Sequence, residues 1–152
     1  MKNKGPRARN AVLLVLVLIF PILALAISIG RAIKFPFLVL STLAIVFGLL
    51  GVVLVIMTIR HHETKTQKAL FILTGFSAAG IPVSAILHNL VYGLFIEFFG
   101  IEFWAPGWDE TAFFVLAIFV CPTLFLIGAS ASGFLLLKAR TDGSKTKPQH
   151  GD

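Results

Sequence analysis

Four long apolar runs contain no Asp, Glu, Lys or Arg, and they restrict this chain more than any motif in it. They are Asn10 to Gly30, Phe35 to Ile59, Ala69 to Ile96 and Thr111 to Leu137. Each reaches the roughly 20 residues that, at ~1.5 Å per residue, cross a hydrocarbon layer about 30 Å thick. A soluble fold has no use for such runs: a small globule buries only about two thirds of the surface of its unfolded chain. With 57% apolar residues, too few polar side chains remain to coat the outside. The expected fold class is therefore an all-α integral membrane protein, with four transmembrane helices in an up-down bundle. The spans fall at about 11–30, 36–59, 69–96 and 111–137, within one transmembrane domain, 11–137. A basic arm, 1–10, and a polar tail, 138–152, are expected to be disordered.

The connectors set the orientation, because Lys and Arg are retained on the cytoplasmic side whereas acidic residues carry little topological weight. Alternating the segments puts Lys2, Lys4, Arg7, Arg9, Arg60, Lys65, Lys68, Lys138, Arg140, Lys145 and Lys147 on one side. Only Arg31 and Lys34 fall on the other, where they can snorkel to the headgroups. A multi-pass protein of the cell membrane with both termini cytoplasmic is expected. The net charge of +6 is thereby a topological signature and not a nucleic-acid surface. Basic residues followed by an apolar run and Ala24-Leu25-Ala26 imitate a cleavable signal peptide. The run exceeds the usual 7 to 15 residues, so the first span is expected to be retained.

Short connectors make the helices antiparallel neighbours. Arg31 to Pro36 joins the first hairpin and Arg60 to Lys68 the second. The external loop, Glu97 to Glu110, interleaves Phe98, Phe99, Phe103, Trp104 and Trp108 with acids and is expected to lie at the headgroup level. Asp109, Glu110 and Thr111 suit the capping of the fourth span.

Between helices in lipid the hydrophobic effect supplies no drive, so close approach of small residues must supply the association. Stripes of such residues recur: Ser77 and Ser84 with His88 and Tyr92 on the third span, Ser41, Ala44, Gly48 and Gly51 on the second, Cys121, Gly128 and Ser132 on the fourth, and Pro21, Ala24 and Ser28 on the first. All four are expected to face inward. Phe76, Val83, Ile86, Leu90 and Leu94 form the opposite, lipid face of the third span. Pro21, Pro82 and Pro122 lie near the middle of their spans, where loss of a backbone donor predicts kinks. Interrupted helices at that depth mark binding sites in many transporters, although proline is also simply common in membrane helices.

Chemistry-bearing residues are sparse. His88 is the one ionisable group inside the runs besides the weakly acidic Cys121 and Tyr92. With Asn89, Tyr92 and Glu97 it forms a candidate outer vestibule for a proton, a cation or a small polar solute; the plainer expectation is that His88 and Asn89 tie helices together by hydrogen bonds. A single cysteine allows no intrachain disulfide or cysteine cluster. His61 and His62 lack converging co-ligands for a metal. Ser130 and Ser132 lie at the opposite depth from the one histidine that could serve as their base. No catalytic residue, metal or cofactor is expected. The functional expectation is a non-enzymatic accessory or assembly partner, associating with the lipid bilayer and with other membrane proteins or itself and not with nucleic acid; the alternative is an oligomeric channel or carrier with its vestibule around His88. Topology is checked by reporter fusions: tags at Met1 and Asp152 are expected on the cytoplasmic face and a tag inserted after Gly100 on the opposite one. Termini on opposite faces would break the four-span assignment.

Overall fold

The computed structural model of the chain describes residues 5–30, 36–61, 64–103 and 111–145. It is helical throughout those residues: α1 (Gly5–Gly30), α2 (Phe37–Arg60), α3 (Lys65–Phe99), a 3-10 turn (Ile101–Phe103), α4 (Thr111–Val115), a π-turn (Leu116–Val120) and α5 (Cys121–Lys145). Four helical stretches are long and apolar enough to cross a membrane, with α4, the π-turn and α5 making up the last. A helix satisfies its own backbone hydrogen bonds, which is why apolar runs of this length adopt it.

The helices outrun the apolar stretches at both ends of the chain. α1 begins at Gly5 and α5 continues to Lys145, so part of the expected disordered arm and tail is helical. Helical hydrogen bonding continues past the apolar runs where Lys, Arg and Ala keep propensity high. The 35 residues of α3 reach ~52 Å, beyond the hydrocarbon thickness. Thr64 starts this helix by accepting a hydrogen bond from the Gln67 N–H at 3.4 Å. Gly100 ends it at φ 80, a left-handed conformation that glycine adopts without penalty, and its N–H returns to the Ile96 carbonyl.

α3 is the centre of the assembly, and its seams with α2 and α5 are the most extensive. Glycines make both seams possible. A Cβ built on Gly51 would lie 2.5 Å from the Gly75 carbonyl oxygen, and one on Gly75 would lie 2.6 Å from the Gly51 oxygen. Gly48 accommodates the Pro82 ring, whose Cγ would be 2.6 Å from an added Cβ. On the other side Gly128 packs on the Thr74 backbone and Gly80 on the Cys121 thiol. These pairings run in opposite sequence directions, so α3 is antiparallel to both α2 and α5. The exposed face of α3 holds Phe76, Val83, Ile86, Leu90 and Leu94, as its spacing predicts.

α1 packs differently. It rests on α2 through large side chains, with Leu13, Leu16, Leu23 and Ala26 buried. Pro21, Ala24 and Ser28 are exposed, contrary to the expected inward stripe. Leucines take most of the inner face, and Pro21, Ala24 and Ser28 are left facing away. At the level of the prolines the rings of Phe20, Phe47 and Phe125 meet, with centroids 4.8 to 6.2 Å apart.

Gly51→Leu is expected to destabilise the protein by at least ~1–3 kcal/mol, because it forces α2 away from α3. Gly93→Ala, whose added Cβ meets nothing within 4 Å, should be neutral or stabilising by up to ~1 kcal/mol. Thermal unfolding in detergent checks the pair; equal melting temperatures would show that the α2–α3 seam is not in close contact.

Candidate functional site

A lateral trough runs between α1 and the last membrane-length stretch. Three adjoining hollows of about 540, 630 and 290 Å³ form it. The first two share Val17, Ala129 and Ser130, and the last two share Phe20, Ala24 and Ser28, so the trough is continuous. It begins beside Asn10 and Leu136 and ends beside Ile27 and Ala117. On α1 its wall is Asn10, Leu14, Val17, Pro21, Ala24 and Ser28, a three- and four-residue spacing that keeps one face along the helix. On α5 it is Leu126, Ala129, Ser130 and Gly133. Phe20 and Phe125, with centroids 4.8 Å apart, close its floor.

Two of the midplane prolines line this trough, and the third does not. Pro21 lies on its α1 wall and Pro122 on the opposite one, whereas Pro82 is buried against Gly48. α1 and α3 run through their prolines as single helices. Pro122 instead follows the π-turn, where the Cys121 N–H reaches back five residues to the Leu116 carbonyl. The wider turn gives room to the proline ring, which would otherwise strike the carbonyl four residues earlier. Pro21 removes the donor that an α-helix would aim at the Val17 carbonyl one turn back, whereas the i+5 bonding before Pro122 shifts the pattern there.

The vestibule residues separate. His88 is half-buried and its ring lies 5.6 Å from that of Phe114 on α4, with Tyr92 one turn further along the same face. Asn89 points elsewhere: it is exposed and lines a groove bounded by α1, α2 and α3. Adjacent residues on a helix diverge by 100°, and nine residues bring Glu97 to the side away from His88. The expected set is thus divided, with His88 and Tyr92 at the α3–α4 seam and Asn89 and exposed Glu97 outside it. Beyond them Phe95, Phe99 and Phe103 cluster at 5.0 to 5.5 Å where the chain turns at Gly100. Trp104 to Glu110, with the expected capping acids, lie outside the described residues, as do Arg31, Lys34, His62 and Glu63.

The packing residues lie as follows. Gly48, Gly51, Ser77, Ser84, Gly128 and Ser132 are buried and Ser41 is half-buried. The Cys121 thiol shares a hydrogen bond with Ser84. The Ser77 and Ser132 hydroxyls are buried without a partner. Phe47, Phe71 and Phe125 are almost completely enclosed and fill the bundle interior. Among the described residues, no three His, Cys, Asp or Glu side chains converge on a metal position.

Sequence reasoning missed Arg9, which it counted only as a topological charge. Arg9 is 2% exposed, and its guanidinium carbon lies 4.1 Å from the centre of the Phe71 ring. It also donates to the Asn10 side-chain carbonyl at 3.1 Å. The signal was available: Arg9 stands four residues before Leu13 and seven before Leu16, on the face that turns inward. A cation over an aromatic face, with its stem packed against apolar surface, anchors the start of α1.

Arg9→Ala is accordingly expected to cost ~1–2 kcal/mol of stability, combining the lost ring contact with lost packing. Arg7→Ala, on the exposed side of the same turn, should stay within ~0.5 kcal/mol. Unfolding of both variants in micelles decides this, and equal stability would remove Arg9 from the core.

Compared with known protein families, curated proteins and solved structures, the chain matches none.

Proposed function

We propose that the protein is an accessory or assembly subunit of the cell membrane, non-enzymatic, with both termini cytoplasmic, that receives a transmembrane helix of a partner in the α1–α5 trough. The observation that supports this reading is the contrast between the two sides of the bundle. α3 closes on α2 and on α5 through glycines, while α1 leans on α2 and leaves a continuous concave wall toward α5. Ala24, Ser28, Ala129, Ser130 and Gly133 along that wall are the small residues that allow one helix to approach another in lipid. The Val17 carbonyl, deprived of its helical donor by Pro21 on the trough wall, adds an acceptor at mid-depth for a serine, threonine or asparagine of the incoming helix.

Gly133 provides the test, because an added Cβ there meets nothing within 4 Å and a larger side chain starts out into open space. Wild-type protein extracted in mild detergent is expected to bring a second membrane protein through affinity purification and size exclusion. Gly133→Phe and Ala24→Phe, which fill the trough, should lose that protein while keeping the wild-type melting temperature. A wild-type chain that purifies without any other protein, or a partner retained by both filled variants, would overturn the reading.

A further inference from the structure

The groove bounded by α1, α2 and α3 adjoins the far end of the trough at Leu23, Ile27 and Ile81, and its chemistry differs. It encloses about 580 Å³ among apolar side chains that include Leu40, Ala44, Pro82, Ala85 and Ile86, with Asn89 at its edge. Asn89 is exposed, and its Nδ2 donates at 2.8 Å to the carbonyl of Ala85, one turn back on its own helix. The expected tie to a neighbouring helix is not made within the chain. The side-chain carbonyl and the second N–H of this carboxamide are left to whatever covers the groove.

Depth makes this consequential. Asn89 stands seven residues from Pro82, which is ~10 Å along the helix, whereas half the hydrocarbon thickness is about 15 Å. If the chain spans the bilayer as argued above, this amide faces acyl chains, which neither donate nor accept hydrogen bonds.

We infer that the groove is a self-association surface and that its occupant is a second copy of this chain, docked with Asn89 against Asn89 about a two-fold axis along the membrane normal. Two copies inserted in the same orientation carry the residue at the same depth without further adjustment. A carboxamide holds both donor and acceptor, so each Nδ2–H can donate to the other's Oδ1 and close two reciprocal hydrogen bonds. The groove carries no charge that like copies would repel, and Ala44 and Ala85 permit close approach. A different protein would have to present its own polar group at this depth, a requirement that a copy meets automatically. The inference rests on the membrane-spanning reading and not on what occupies the trough.

Self-association of the full-length protein, labelled on its tail and reconstituted in phosphatidylcholine–phosphatidylglycerol vesicles, tests it by single-molecule photobleaching across a range of protein densities. The wild type is expected to shift from monomer to dimer as density rises. Asn89→Leu should weaken dimerisation about three- to thirty-fold, and Asn89→Gln, which keeps the carboxamide, should retain most of it. Asn89→Leu should leave the melting temperature of the monomer in detergent unchanged, which separates lost association from lost folding. Ala44→Phe, filling the groove from α2, should weaken dimerisation without touching the amide. A wild type that stays monomeric at every density, an Asn89→Leu variant that dimerises like the wild type, or loss of a different co-purifying protein from Asn89→Leu with self-association intact would each overturn the inference. Failure of the trough variants to release a partner would leave this result unaffected.

Discussion

Backbone contact between α2 and α3 is the constraint from which the rest of the arrangement follows. Lipid tails are as apolar as leucine, so helices of this composition gain little by merely burying side chains against one another. What remains is dispersion, which falls steeply as surfaces separate, and therefore rewards helices that can touch along their backbones. Gly51 and Gly75 achieve this reciprocally, each leaving space for the other's carbonyl oxygen. Gly48 does the same for the ring of Pro82, so a residue that disturbs its own helix becomes the knob that locks its neighbour. Gly128 and Gly80 repeat the device against α5, and α3 ends up held from both sides.

α1 carries no such glycine contact among the described residues, and its different packing is a direct consequence. Leucines and Phe20 hold its inner face at side-chain distance, and the Arg9–Phe71 contact holds its first turns. A helix attached this way leaves its remaining flank unmatched to α5, and the trough is that flank. The phenyl rings of Phe20, Phe47 and Phe125 meanwhile occupy the middle of the bundle. Concavity is thus displaced from the axis to the side, where it is accessible to molecules within the plane of a membrane. That placement is what the proposed recognition of another membrane component rests on.

The four membrane-length helices and the exposed apolar face of α3 were legible in the sequence because both follow from spacing alone. Phe76, Val83, Ile86, Leu90 and Leu94 recur at helical intervals, and no partner choice is needed to place them. The stripe of Pro21, Ala24 and Ser28 was legible as a face but not as an open one. Periodicity identifies residues that share a side of a helix; whether a neighbour lies there depends on the packing of other helices. Arg9 was obscured by its own charge, since a basic residue at a span end has a topological explanation already. His88 and Asn89 were grouped by adjacency along the chain, yet consecutive residues on a helix look in different directions. The π-turn could not be read, because Pro122 is compatible with a kink, a break or a widened turn, and only the surroundings select among them.

Hydrogen-bond capacity separates polar residues that can be passive in a membrane from those that cannot. Ser28, Ser41, Thr42, Thr58 and Thr74 all turn their hydroxyls back to the carbonyl four residues earlier, at 2.7 to 2.8 Å. A hydroxyl has a single donor, so one such bond removes its demand for a partner, and these side chains can face lipid or core alike. Asn89 makes the same backward bond, but a carboxamide has a second donor and an acceptor oxygen that the bond does not reach. The same local geometry that silences threonine therefore leaves asparagine unfinished. Among the side chains that bond backward within the membrane-length helices, Asn89 is the one whose chemistry requires something beyond its own helix, and the groove beside it is where that requirement can be met.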